Sequence, residues 1–162
     1  MAKTENEQNE MTRAPQKAGV LLFEGFEEIE ALTPADLLSR ANISVTLVGI
    51  DTAGIVTGRS GISVELKHQL KDFSPQEFDC LILPGGPGIA RIRRHPLLCQ
   101  TLSAQFESGS ILGCICAAPL LMLDSGILPG IDFTCHPSAE DELPHAQNQA
   151  VVHSGKCITA RG

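Results

Sequence analysis

The stretch from Ser110 to Pro119, Ser-Ile-Leu-Gly-Cys-Ile-Cys-Ala-Ala-Pro, leaves the chain little choice of architecture. Ile111, Leu112 and Ile115 form an apolar run behind the turn-forming Ser108-Gly109-Ser110, as in a buried strand. With no intervening loop the pattern becomes helical at Ala117, Ala118, Pro119 and Leu120-Leu121-Met122-Leu123. Proline is tolerated there because the first helical N–H groups have no partner within the helix. Cys116 stands at the joint, where orphan N–H groups and the positive helix end favour thiolate over thiol. Small residues lie two positions to either side of it, Cys114 and Ala118, as a sharp nucleophile elbow requires. A small buried hydrophobe would fit the same place, and position alone does not separate the two readings.

The strand-then-helix unit recurs along the chain. Ala18–Phe23 is a continuous apolar strand of the kind buried on both faces of a parallel sheet. Glu27–Ala41 follows as a helix with Ile29, Leu32, Leu37 and Leu38 on its inner side, acids in the first turn and Pro34 as a bend. Ile43–Val48 and Phe78–Leu83 are further strands, and Pro96–Ser108 a further helix. Gly54–Thr57 and Ile62–Leu66 flank Gly58-Arg59-Ser60-Gly61 as a hairpin. Gly130–Thr134 reads as a short strand, Pro137–Leu143 as a short helix or turn, and Ala150–His153 with Lys156–Thr159 as a second hairpin. The alternation predicts an α/β sandwich with a mainly parallel sheet.

At 162 residues the chain is one domain, expected over residues 18–162 behind a disordered polar tail at 1–17. A net charge of −7 argues against nucleic acid or an anionic membrane as main partner. No apolar run reaches membrane-span length, and the first residues lack the apolar core of a signal peptide. The six cysteines show no framework spacing, which points to reduced thiols and a cytoplasmic location. None of the Cys or His spacings is that of a zinc site, so no metal is expected.

Pro84-Gly85-Gly86-Pro87-Gly88 follows a strand at the edge where an open α/β sheet places its site. It lacks the Lys-Ser/Thr and the G-x-G-x-x-G pattern of nucleotide loops, and a tight turn accounts for its glycines. Its functional addition is that the Gly85 and Gly86 N–H groups would face a reacting oxygen. Glu27, Glu28 and Glu30 read plainly as solvated acids of a first helical turn. Glu30 differs in that its helix starts at the same edge and faces the Cys116 elbow. A carboxyl held beside a thiolate keeps its proton, because two adjacent anions are costly, and then donates to sulfur. His136, followed by Pro137, reads equally as a packed loop residue. Arg59 and Arg161 suit substrate anions or, for Arg59, a dimer contact. Cys114 would resolve an oxidised Cys116 if the elbow lets them meet.

These pieces together resemble the ThiJ/PfpI superfamily, in the DJ-one branch of Parkinsonism-associated protein deglycases. The match spans about Ala18 to Gly162 and rests on Phe26-Glu27-Glu28-Ile29-Glu30, Leu83-Pro84-Gly85-Gly86, Cys114-Ile115-Cys116-Ala117-Ala118-Pro119, Thr134-Cys135-His136-Pro137 and Ile158-Thr159-Ala160-Arg161-Gly162. The resemblance implies a flavodoxin-like three-layer sandwich and a homodimer using the first helix and the Gly54–Leu66 hairpin. It implies Cys116 as nucleophile, Glu30 as the acid beside it, His136 as the nearby imidazole, and the Gly86 and Ala117 N–H groups as an oxyanion pocket. Ala117 replaces the His of the intracellular-peptidase branch, which disfavours a Cys-His peptidase. The family's final strand and helices, beyond the Arg-Gly, are absent from the sequence, so truncation before a C-terminal helix is expected.

Two functions follow from such a cysteine. One is a cofactor-free glyoxalase or deglycase acting on α-oxoaldehydes such as methylglyoxal, or on their protein adducts. The other is an oxidative-stress sensor or redox-regulated chaperone whose Cys116 is oxidised to sulfenic or sulfinic acid.

Overall fold

The computed structural model describes residues 16–162; the proposed tail lies outside the described residues except for its last positions. Lys17 already belongs to the first strand, where its N–H is held by Asp79 and its ammonium by Glu77, which is why the strand begins one residue earlier than hydropathy suggests.

Among the described residues nine strands form: β1 (Lys17–Leu22), β2 (Ser44–Gly49), β3 (Gly54–Thr57), β4 (Ser63–Leu66), β5 (His68–Gln69), β6 (Cys80–Leu83), β7 (Ile111–Ile115), β8 (Val151–Ser154) and β9 (Cys157–Ala160). Four α-helices interleave with them: α1 (Glu28–Arg40), α2 (Ile89–Ile92), α3 (Pro96–Glu107) and α4 (Pro119–Asp124). The main sheet has the order β5-β2-β1-β6-β7-β9-β8, parallel except for the β8–β9 hairpin at its edge. β3 and β4 form the separate antiparallel hairpin. The expected flavodoxin-like α/β/α sandwich is the fold.

Continuous apolar sequence becomes central strand for a plain reason. Ala18, Val20, Leu21 and Leu22 of β1 are all fully buried, so both faces of that strand are in the core. Toward β9 the two faces differ. Leu81, Leu83, Leu112, Cys114, Cys157 and Thr159 are buried, whereas Cys80, Ile82, Ile111 and Ile115 are half-buried and Ile158 is exposed.

Two expectations need correction. Gly130–Thr134 forms no strand: Thr134 gives its N–H to the Thr159 hydroxyl instead of to a ladder, and its own hydroxyl goes to the Gln149 carbonyl. Ile29 and Leu37, expected on the inner side of α1, face outward, with Ile29 72% exposed. In their place α1 buries Ala31 and the carboxylate-bearing Glu28. A helix-period reading cannot distinguish a core face from a face kept for another surface.

The chain order places the site. Running outward from β1, the strands proceed one way through β2 and the other way through β6 and β7, so the switch lies between β1 and β6. Ligands in open α/β sheets bind at the carboxyl ends beside such a switch. Segments Glu24–Glu30, Pro84–Gly88 and the Cys116 elbow leave those ends.

Candidate active site

Cys116 has φ +63°, the left-handed region that non-glycine residues rarely adopt. The strain is held from both sides. Its N–H donates to the Ala160 carbonyl at 2.9 Å, and its carbonyl accepts from the His136 N–H at 2.8 Å. The elbow predicted from Ser110–Pro119 is therefore present, and the cysteine at its tip is half-buried. Helix α4 begins three residues later and has six residues, so local N–H groups rather than a long helix dipole act on the sulfur. The Ala117 and Gly86 N–H groups are the ones near enough to favour its thiolate.

Gly85 has a different task from the one expected. Its N–H donates to Glu30 Oε2 at 2.7 Å, so it orients the acid and is unavailable to a reacting oxygen. Its missing side chain matters as well. A Cβ there would lie 2.7 Å from Cys116 Cβ, 3.0 Å from Cys116 Sγ and 2.9 Å from Glu30 Oε2. Gly86 adopts φ +111°, and a Cβ would come within 2.5 Å of the Gly25 carbonyl, so this position admits only glycine.

Glu30 reaches the site from the first turn of α1. Glu27 caps that turn, its carboxylate accepting the Glu30 N–H at 2.9 Å while its own N–H donates to the Gly85 carbonyl at 3.0 Å. Pro34, four residues past Glu30, lacks the N–H that would close the helical bond to the Glu30 carbonyl. Burial raises the Glu30 carboxyl above its ordinary range, against the pull of the Gly85 N–H. Burial also pushes the Cys116 thiol up, to about 11, and the charge of an ionised Glu30 adds to that; the Ala117 and Gly86 N–H groups act in the opposite sense. The elbow alone does not produce the low-pKa thiol expected of it. A thiolate at neutral pH requires the proton shared by the pair to sit on Glu30, where it donates to sulfur instead of repelling it.

His136 is half-buried and close enough to Glu30 that a positive charge on its ring would favour the ionised carboxylate. Its Nδ1 accepts the Ser138 N–H at 3.1 Å, which leaves Nε2 as the ring's remaining nitrogen. Arg59 is exposed at the tip of the β3–β4 hairpin, its N–H bonded to the Phe26 carbonyl at 2.8 Å. Arg161 turns to Asn148 and Glu140. Cys114 is buried and its thiol driven far up, which opposes a resolving role. Among the described residues no group of three or more His, Cys, Asp or Glu could hold a metal ion, and no helix is long and apolar enough to cross a membrane.

Two residues escaped sequence reasoning. Gly162, at φ +98°, brings its backbone so close that a Cβ would lie 3.1 Å from Cys116 Cβ. Glu28, expected to be solvated, is 5% exposed and binds the hairpin: the Ser60 N–H donates to its Oε1 at 2.8 Å. The signal for Glu28 lay in Gly58, where a Cβ would fall 2.4 Å from the carboxylate, but only the fold pairs the two.

Comparison with known proteins places this geometry among relatives. The sequence model of the DJ-1/PfpI family matches residues 16–162. The glutathione-independent glyoxalase DJR-1.2 of Caenorhabditis elegans is 32% identical over 155 residues, covering 92% of this chain and 82% of that protein. A deglycase of Pyrococcus abyssi is 28% identical, with 88% of this chain and 87% of that one covered. The crystal structure of Drosophila melanogaster DJ-1beta superposes with a TM-score of 0.85 at 30% identity, over 92% of this chain and 83% of the other.

Proposed function

The chain belongs to the DJ-1/PfpI family, and from that premise we propose that it is a glyoxalase or deglycase acting through Cys116 on α-oxoaldehydes, free or as adducts. The observation that carries the reading is the strained Cys116 with the Glu30 carboxyl beside it across Gly85. A glyoxalase and a deglycase among the relatives support the same chemistry.

The steps follow from the groups present. With the shared proton on Glu30, the Cys116 thiolate adds to the aldehyde carbon of methylglyoxal, and the carbonyl oxygen takes that proton to give a hemithioacetal. The carbon-bound hydrogen of that centre then leaves as a proton and is returned to the neighbouring carbon. The first carbon is thereby oxidised to a thioester and the ketone reduced to an alcohol, so oxidation and reduction balance within the substrate. Glu30 and the Nε2 of His136 are the groups available to move these protons. Water cleaves the thioester, releasing lactate and the thiol. The Gly86 and Ala117 N–H groups, already aimed at sulfur, serve the oxyanions formed on its carbon.

A homodimer goes with this reading. Ile29 and Leu37 on α1, with Ile55 and Ile62 on the β3–β4 hairpin, are exposed apolar residues on the two elements expected to meet a second copy.

The test is lactate formation from methylglyoxal without glutathione. The parent chain is expected to produce lactate and Cys116→Ala none; equal rates in the two would overturn the proposal.

A further inference from the structure

Within a single helical turn three acids point three ways. Glu27 caps α1, Glu30 meets Gly85 and Cys116, and Glu28 is buried against the β3–β4 hairpin. A carboxylate is an expensive group to bury without full hydrogen bonding, yet Glu28 Oε2 has no hydrogen-bond partner among the described residues. Oε1 by contrast accepts the Ser60 N–H at 2.8 Å and lies 3.5 Å from the Ile62 nitrogen. Gly58 is packed so tightly on this carboxylate that no side chain fits between them. A surface hairpin needs no buried charge to fold, so the arrangement calls for a reason beyond hairpin stability.

The reason lies in what the hairpin is fastened to. The Gly25 N–H donates to the Thr57 carbonyl and the Arg59 N–H to the Phe26 carbonyl, both at 2.8 Å, while the Thr57 N–H donates to the Glu24 carboxylate at 3.0 Å. The same Glu24–Glu30 segment is bonded onward to the glycine loop, through Glu27 N–H to the Gly85 carbonyl and Gly88 N–H to the Gly25 carbonyl. Hairpin, acid-bearing turn and glycine loop are thus one hydrogen-bonded block, and among the described residues Glu28 is the α1 side chain that hydrogen-bonds the hairpin.

We propose that Glu28 is a positioning residue that holds the first turn of α1 between the hairpin and the glycine loop, and so sets where the Glu30 carboxyl stands relative to Cys116. It touches no substrate. This rests on the reading of Cys116 and Glu30 as the reacting pair. Loosening Glu28 lets the turn move, the shared proton is then held less well beside sulfur, and less of Cys116 is thiolate near neutral pH.

The test uses the full chain with Glu28→Ala, Gly58→Ala, the double variant and Glu28→Gln. Iodoacetamide labelling of Cys116 at about pH 6, located by peptide mapping, reports the thiolate without any substrate. Glu28→Ala is expected to slow labelling and to lower kcat for methylglyoxal by about tenfold, with KM within about threefold. Gly58→Ala does the same, because its methyl group displaces the carboxylate. The double variant is no slower than either single one, since both changes break one contact. Defects that multiply, or wild-type labelling and kcat per folded molecule in Glu28→Ala despite a lower Tm, overturn the proposal. Should Glu28→Ala fail to fold, Glu28→Gln decides: it keeps an oxygen for Ser60 but no charge, and a severalfold loss in both readouts supports the role while wild-type values refute it. If the parent chain does not turn over methylglyoxal, the proposed activity falls, and the labelling comparison still decides the role of Glu28.

Discussion

Glu30 and Cys116 face each other across the bare α-carbon of Gly85: a Cβ on that residue would be 2.9 Å from Glu30 Oε2 and 3.0 Å from Cys116 Sγ. The acid and the thiol are neighbours because the residue between them has no side chain. This closeness adds to the burial that raises the affinity of the pair for protons.

Gly85→Ala tests it directly. Gly85 does not need positive φ, so alanine suits its backbone and only the site is disturbed. The methyl group must push Glu30 or Cys116 aside, and displacement of reacting groups by about 1 Å costs on the order of a hundredfold in rate. Lactate formation is expected to fall by that order while the circular dichroism spectrum remains that of the parent.

The paired titration gives a second expectation. Two acids that share a site lose their protons in two macroscopic steps. Labelling of Cys116 against pH should rise in two stages, the upper one where burial and ionised Glu30 leave the thiol at about 11. Glu30→Gln removes one proton from the system, so its profile should show one stage, with kcat down about a hundredfold. A two-stage profile surviving in the variant would mean that Glu30 is not the partner.

Behind the site, Arg93 at the end of α2 makes bonds to Asp124 at the end of α4 and, at 3.0 Å, to Glu142 beyond His136. Asp124 is almost wholly buried, its side chain 4% exposed, and the Arg93 guanidinium holds its carboxyl below the ordinary range. Arg93→Ala strands that carboxylate and should cost about 2 kcal/mol in urea unfolding at neutral pH. A depressed carboxyl stabilises above its unfolded pKa, so the contribution is complete above about pH 4 and fades as pH falls through the lower folded value. The difference between parent and variant should therefore shrink in acid; a gap that stayed constant would exclude the ion pair as its cause.

Association is the fourth expectation. Ile29 and Ile62, 72% and 52% exposed, lie on the surface assigned to a second copy. The parent should sediment as a dimer at micromolar concentration, and Ile29→Glu with Ile62→Glu should give a folded monomer, since burying two charges opposes association. A folded parent monomer would remove this surface from the reading.

What is legible in the sequence is local in kind. Strand cores such as Val20–Leu22 and the elbow at Cys116 announce themselves, because backbone sterics and burial act over a few residues. Gly85 and Gly86 were legible as a turn at a sheet edge, and Glu30 through its place in a motif. The misread positions each depended on a distant partner. Glu28 looked like any first-turn acid until Ser60 and Gly58 were brought to it, and Gly130–Thr134 had a strand's composition but no neighbouring strand to pair with.

The amino-acid order by itself therefore determined the parallel α/β plan and the place of the Cys116 elbow at the carboxyl edge of the sheet, which arise from hydrophobic periodicity and short-range backbone geometry. Only the tertiary structure decided the division of labour among Glu27, Glu28 and Glu30, the assignment of the Gly85 N–H to the acid and of the Gly86 N–H to sulfur, and the raised affinity of Cys116 and Glu30 for protons. Those depend on distances of about 3 Å between residues far apart in the chain, and on the loss of water around them, which no local pattern encodes.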